Sequence, residues 1–179
     1  MNLPRRSQSN FLALVALVAA LGSFRCSGGA TAPASPASSS SKEIRLNFSL
    51  PTPGGAPVDL KKFDGSIRVV DFWATWCPPC REAIPSLNAL HRKYKEQGVN
   101  ILGVSVDENP KVLAAFDQEV HIEYTSLMSS RDAEEAFGGV AGLPTTFVLD
   151  RQGRVFQSYV GPVDRETLEG DIRSLLAAR

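Results

Sequence analysis

The sequence predicts an α/β fold, a mixed β-sheet flanked by helices on both faces. Three stretches carry that reading. Ile67–Trp73 and Asn100–Val106 are strand-like runs, and between them Ile84, Leu87, Leu90 and Tyr94 recur at helical spacing. Further on, Pro144–Asp150 and Val155–Val160 flank Asp150-Arg151-Gln152-Gly153, a hairpin signal. Strand, helix and strand, followed by a hairpin and a last helix, build a mixed sheet covered on both sides. The chain has 179 residues, 43% of them apolar, with 19 basic and 19 acidic side chains. That length favours one domain, and the balanced charge gives no footprint for nucleic acid.

Taken in order, Ile44-Arg45-Leu46-Asn47-Phe48-Ser49-Leu50 alternates apolar and polar residues and reads as a half-buried strand. Pro51-Thr52-Pro53-Gly54-Gly55 is turn chemistry, and Val58–Phe63 begins a second short strand or a helical turn. Ile67–Trp73 is the central strand. The helix after it contains Pro85, which should kink it near its first turns, and Gly98 ends it. Asn100–Val106 suits a buried parallel position. Asn109-Pro110 opens a helix over Lys111–Glu119; Tyr124–Met128 reads as a short strand and Asp132–Phe137 as a short helix. Asp164 caps the final helix, whose buried face is marked by Leu168, Ile172, Leu175 and Leu176. There is no internal repeat.

The N-terminus has a different character. Arg5 and Arg6 precede an apolar run from Phe11 to Leu21, which reads as an export signal. The run is short of the roughly 20 apolar residues that a membrane span needs. Cys26 follows it, where a lipoprotein carries its lipidated cysteine, although Arg25 fits poorly beside a cleavage point. Lipidation at Cys26, cleavage near Ala30 and retention as a membrane anchor all stay open; each puts the domain outside the cytoplasm. The next stretch is Ser-, Ala-, Pro- and Gly-rich, too poor in apolar surface to offset its ordering entropy, and is expected to be a tether spanning roughly 20 Å. The expected organisation is therefore a signal or anchor over residues 1–26, a disordered linker over 27–43 and a globular domain over 44–179.

The chain is organised around Val70-Asp71-Phe72-Trp73-Ala74-Thr75-Trp76-Cys77-Pro78-Pro79-Cys80. A buried strand runs into a sharp turn, and two cysteines stand where a helix begins. Pro79 has no backbone N–H to lose and is comfortable in a first helical turn. Cys77 lies where the positive end of the helix dipole points, which favours thiolate over thiol. Asp71, between Val70 and Phe72, is expected to be buried with a raised pKa, which suits a general base near neutral pH. An Asp at the sheet edge facing water is the alternative.

From Asp71 to Arg81 the run resembles the active site of thioredoxin-fold proteins, and most of all that of the extracytoplasmic TlpA/ResA-like thiol–disulfide oxidoreductases. Gly142-Leu143-Pro144-Thr145-Thr146-Phe147-Val148 resembles a second motif of that family, in which the proline is cis and faces the cysteines. The similarity covers roughly Ile44 to Arg179. It implies a thioredoxin fold with an N-terminal extension and a central αβ insertion. It also implies a groove in which the backbone of Leu143 beside Pro144 pairs with an extended substrate, and Trp76 and Pro79 flank the cysteines. The implied substrates are disulfide-containing proteins of the bacterial cell envelope or periplasm, apocytochrome c among them. The implied electron donor is a membrane thiol transporter of the CcdA/DsbD type. At Asp71 the chain matches thioredoxins, whereas TlpA/ResA-like members often carry another residue.

With export expected and two cysteines in the globular part, Cys77 and Cys80 are each other's natural partners. The expected chemistry is disulfide exchange: Cys77 attacks as thiolate and Cys80, deeper in the helix, resolves the mixed disulfide. Other uses of the pair are weaker. A structural bridge over so small a loop removes little chain entropy. Zinc would need two further ligands from His91, His121 and Cys26, and haem attachment needs a His where Arg81 stands. No metal or cofactor is expected. A peroxiredoxin-type thiol peroxidase and a non-catalytic peptide-binding module are the rival functions.

Overall fold

The computed structural model describes residues 43–178. The signal or anchor expected at 1–26, Cys26 and nearly all of the linker expected at 27–43 lie outside the described residues.

Five strands form one sheet in the order β5-β4-β3-β6-β7. The central strand β3 (Ile67–Trp73) lies parallel to β4 (Val99–Ser105), and β4 lies parallel to β5 (Thr125–Met128). On its other side β3 pairs antiparallel with β6 (Thr145–Leu149), which pairs with β7 (Val155–Val160). Every residue of β3 is buried. A strand with neighbours on both sides and cover on both faces has no solvated side, so it reads as a nearly continuous apolar run.

Alternation along β3 assigns its residues to two cores. Ile67 and Val69 pack with Leu87 and Leu90 of α1 (Pro78–Tyr94) and with Leu168 and Ile172 of α4 (Arg165–Ala177). Val70 and Phe72 meet the opposite layer, built from Ile44, Leu46, Leu50, Leu60 and Phe63 together with Ala133 of α3 (Arg131–Ala136). Phe72, Phe137 and Phe147 form an aromatic cluster there, with ring centroids 4.8–6.1 Å apart. A third cluster, at the C-terminal end of β3, joins Trp73 to Leu113 of α2 (Pro110–Val120).

The helix boundaries follow local chemistry. Asn109 caps α2 and Asp164 caps α4, their side chains accepting from Lys111 N and Thr167 N at 3.0 and 2.7 Å. Pro110 takes the first helical position of α2, where its missing N–H costs nothing. Helix α1 continues through Pro85 to Tyr94, and a 3-10 turn over Lys95–Gln97 leads to Gly98 in the left-handed region. Between β4 and β6 the chain inserts α2, β5 and α3.

The N-terminal segment differs from expectation. Only Ser49–Pro51 (β1) forms a ladder, with β2 at Pro57–Asp59; a 3-10 turn over Leu60–Phe63 follows, so both forms expected for 58–63 occur. Residues 44–48 are not a strand, although Ile44 and Leu46 are buried and Glu43, Arg45 and Asn47 are exposed. The alternation is real, but this segment lies over the sheet's face, tied by one bridge between Glu43 and Arg154. A face buries alternate side chains without offering a row of backbone partners.

Gly103 sits opposite Asp71 in the β3–β4 register. A Cβ there would lie 2.7 Å from Tyr124 Cε2 and 3.2 Å from Trp73 Nε1, both in rigid buried rings. Gly103→Ala is therefore expected to cost about 1–3 kcal/mol by overpacking. Chemical denaturation checks it; an unchanged unfolding midpoint would refute the close approach.

Candidate active site

The site is built where β3 turns into α1. Cys77 is the N-cap of α1, with extended backbone (φ −93°, ψ 107°), and Pro78 and Pro79 fill the first two helical positions. The Cys77 N–H donates to Ala74 O at 3.1 Å, closing the turn. Cys77 and Cys80 are disulfide-bonded, with Cα atoms 5.3 Å apart. Both are buried, Cys80 (1% exposed) more than Cys77 (4%). The helix start has no side-chain cap. Its amide donors are also few, since two of the first three positions are prolines, which leaves the Cys80 N–H to carry the local positive end.

The Leu143–Pro144 peptide is cis, and Leu143 packs against the cluster that holds both cysteines. This loop is pinned: Gly161 N donates to Pro144 O at 2.8 Å and Thr145 Oγ1 to Gly142 O at 2.7 Å. Trp76 is 66% exposed and Val160 70%, so the rim of the site carries apolar surface open to solvent. Trp73 is core. Arg81 lies over the Phe116 ring at 5.4 Å, a packing role.

Asp71 is 2% exposed, which excludes the edge position facing water. Its Oδ1 accepts a hydrogen bond from Thr146 Oγ1 at 2.8 Å. Burial pushes its pKa up to about 7, against the smaller opposing effect of that hydrogen bond. A void of about 10 Å³ touches Asp71, Ser86, Pro144 and Thr146. That is about the lower limit for a single water. On the other side, the space left by Gly103 is filled by Tyr124, whose hydroxyl finds no partner among the described residues. Among the described residues no cation stands in for a counter-charge there.

One element escaped the sequence reading. Asp107, just past β4, accepts from Thr75 N at 2.9 Å, Thr75 Oγ1 at 2.8 Å and Ser105 Oγ at 2.6 Å. All three residues are buried. The carboxylate ties the turn that presents Cys77 to the end of the neighbouring parallel strand. A charged residue directly after a buried strand is a weak signal, and nothing local names Thr75 as its partner. In the sequence Thr146 is only one residue of the Gly142–Val148 motif; its place opposite Asp71 follows from the β3–β6 register.

The architecture defines the class, a thioredoxin fold, and solved structures agree. A Chlorobium tepidum chain assigned as the thiol:disulfide interchange protein DsbE superposes with a TM-score of 0.70 at 34% identity, covering 76% of this chain and 97% of that one. The Redoxin family profile matches residues 35–176. The thiol-disulfide oxidoreductase ResA of Bacillus anthracis is 31% identical over 129 residues, 72% of this chain and 75% of ResA. The thiol:disulfide interchange protein HelX of Rhodobacter capsulatus is 38% identical over 117 residues, 64% of this chain and 63% of HelX. The chain belongs to the redoxin family, among its ResA-like thiol–disulfide oxidoreductases.

Two expectations follow from the geometry. Asp71 binds its proton more tightly folded than unfolded, so it supports the fold fully below its unfolded-chain value of 3.8 and loses that support as pH rises through about 7. Asp71→Asn removes the penalty of ionisation. The oxidised variant should match the parent near pH 4 and exceed it at pH 9 by on the order of 4 kcal/mol, at about 1.4 kcal/mol per pH unit. Parallel pH-dependence of the two unfolding curves would refute the assignment. Asp107→Asn turns an acceptor into a donor facing donors, and is expected to cost about 1–3 kcal/mol and to slow disulfide exchange; an unaltered exchange rate would show that the tie does not serve the cysteines.

Proposed function

We propose that the chain is an exported reductant of protein disulfides that works through Cys77 and Cys80, outside the cytoplasm and tethered near a membrane by its N-terminus. One observation carries the reading: the bonded Cys77–Cys80 pair at the start of α1, beside Leu143 of the cis-proline loop. In the reduced protein the Cys77 thiolate attacks a substrate disulfide, forming a mixed disulfide and releasing one substrate sulfur as thiolate. Cys80 gives its proton to Asp71 and attacks Cys77 Sγ, which frees the second substrate sulfur. Two electrons pass to the substrate and the Cys77–Cys80 bond is left behind. A pKa near 7 lets Asp71 take that proton and return it to solvent.

Support for the reducing direction comes from the helix start. A strong oxidant is one whose reduced form is stabilised. Two prolines in the first turn remove amide donors that would otherwise hold the Cys77 thiolate. The substrate segment pairs with the backbone of Leu143 and lies over Pro79, Pro144 and the exposed Trp76. Substrates of this kind are envelope proteins with accessible disulfides, apocytochrome c included, and a membrane thiol transporter of the CcdA/DsbD type re-reduces the pair.

Insulin reduction tests the activity. Cys77→Ser is expected to abolish it, while Cys80→Ser should accumulate a mixed disulfide through Cys77 that a thiol reductant releases. Residual turnover by Cys77→Ser would overturn the scheme. The direction is read from the potential of the pair: a value near the roughly −270 mV of thioredoxin fits, and one near the roughly −120 mV of DsbA makes the protein an oxidant.

A further inference from the structure

The other end of β3, away from the cysteines, carries a buried cation. Arg68 is 2% exposed and lines a cavity of about 460 Å³ beneath the N-terminal segment. That volume is ordinary for a small-molecule site. Arg45, Lys61 and Arg151 line it too, four basic side chains in all against the carboxylates of Glu43 and Asp64. In a chain whose formal net charge is zero, composition alone does not produce this excess.

The Arg68 guanidinium is only partly compensated. One Nη donates to Asp64 Oδ1 at 3.1 Å and the other to Asp150 O at 3.2 Å, while Nε has no partner among the described residues. The Asp64 side chain is 64% exposed, so water weakens its pull. Burial lowers the Arg68 pKa by more than Asp64 and Asp150 raise it. Around it, Arg45 is paired with Glu43 at 3.0 Å, and Arg151 spends one nitrogen on Leu175 O at 3.2 Å. Among the described residues Lys61 and Arg151 have no carboxylate within salt-bridge reach.

We propose that this cavity binds a phosphate group, held by Arg68 from within and by Lys61 and Arg151 from the mouth. A carboxylate is planar and is satisfied by one guanidinium fork; a phosphate carries more charge and tetrahedral oxygens that reach cations on three separate segments. Residues Glu43–Asn47 line the cavity, where the expected linker meets the globular domain. The phosphate is thus either that of a soluble ester or ion, or that of a lipid headgroup at the tethering membrane. The second would aim the cysteines away from the bilayer. The site touches neither cysteine, so its failure would leave the redox reading untouched.

The test is calorimetric titration of the oxidised full chain with inorganic phosphate, against sodium chloride at matched ionic strength. Saturable one-site binding is expected, weakened at least tenfold in Lys61→Ala/Arg151→Ala, whose substitutions lie outside the cysteine site and should leave insulin reduction unchanged. Arg68→Gln, if it folds, should abolish binding. No saturable heat at millimolar phosphate, or equal binding by the double variant, would overturn the proposal. Vesicles of phosphatidylglycerol and of a phosphate-free galactolipid then separate the sources. Any contribution of the apolar N-terminus is common to both proteins. Weaker binding of the double variant to the phosphatidylglycerol vesicles alone assigns a headgroup; equal vesicle binding beside variant-sensitive phosphate binding assigns a soluble ligand.

Discussion

The corner between β3 and α1 is the constraint to which the other parts answer. Within four residues the chain must change from a fully buried strand to a helix and leave two sulfurs within bonding distance. That works only if the first cysteine is extended and the second is already helical. Pro78 and Pro79 fix the backbone of the first turn without loss of a needed hydrogen bond. Asp107 holds the preceding turn from outside, through Thr75. A reactive pair on a loose loop would lose the pre-organisation that makes intramolecular exchange fast. Here the loop is held by a neighbouring strand.

Burying Asp71 weakens the fold and leaves a carboxylate that holds its proton up to about pH 7. A carboxylate in the centre of a sheet, with one hydroxyl as partner and no cation beside it among the described residues, costs stability whenever it is ionised. The same burial brings its pKa near neutrality, where a proton acceptor is most useful. Strain of this type collects at functional sites, and the remaining core has to offset it. The two packed faces of β3 do so, with aliphatic contacts to α1 and α4 on one side and the phenylalanine cluster on the other.

The second face would lose much of its cover without the N-terminal extension. Ile44, Leu46, Leu50, Leu60 and Phe63 supply much of its cover, and α3 covers the rest. The extension therefore belongs to the core although it contributes no strand to the main sheet. It also encloses Arg68, the one basic residue of β3.

The order of elements was legible because each has a local cause: the apolar runs of β3 and β4, the helical spacing of α1, the turn at Asp150–Gly153, the caps at Asn109 and Asp164. So were Cys77 and Cys80, since their spacing at a helix start is a property of the chain alone, and the burial of Asp71, since its neighbours are apolar. Residues 44–48 show the limit. Their alternation fixed which side chains are buried but could not say whether an edge or a face buries them. Asp107 meets Thr75 across 32 residues and Thr146 meets Asp71 across 75, while Gly103 makes room for Tyr124 from another segment. Such contacts depend on strand register, which is set by the packing of the whole sheet. The local sequence determined the reactive groups; the tertiary structure decided their surroundings, because solvation and partnership arise only once distant segments close over them.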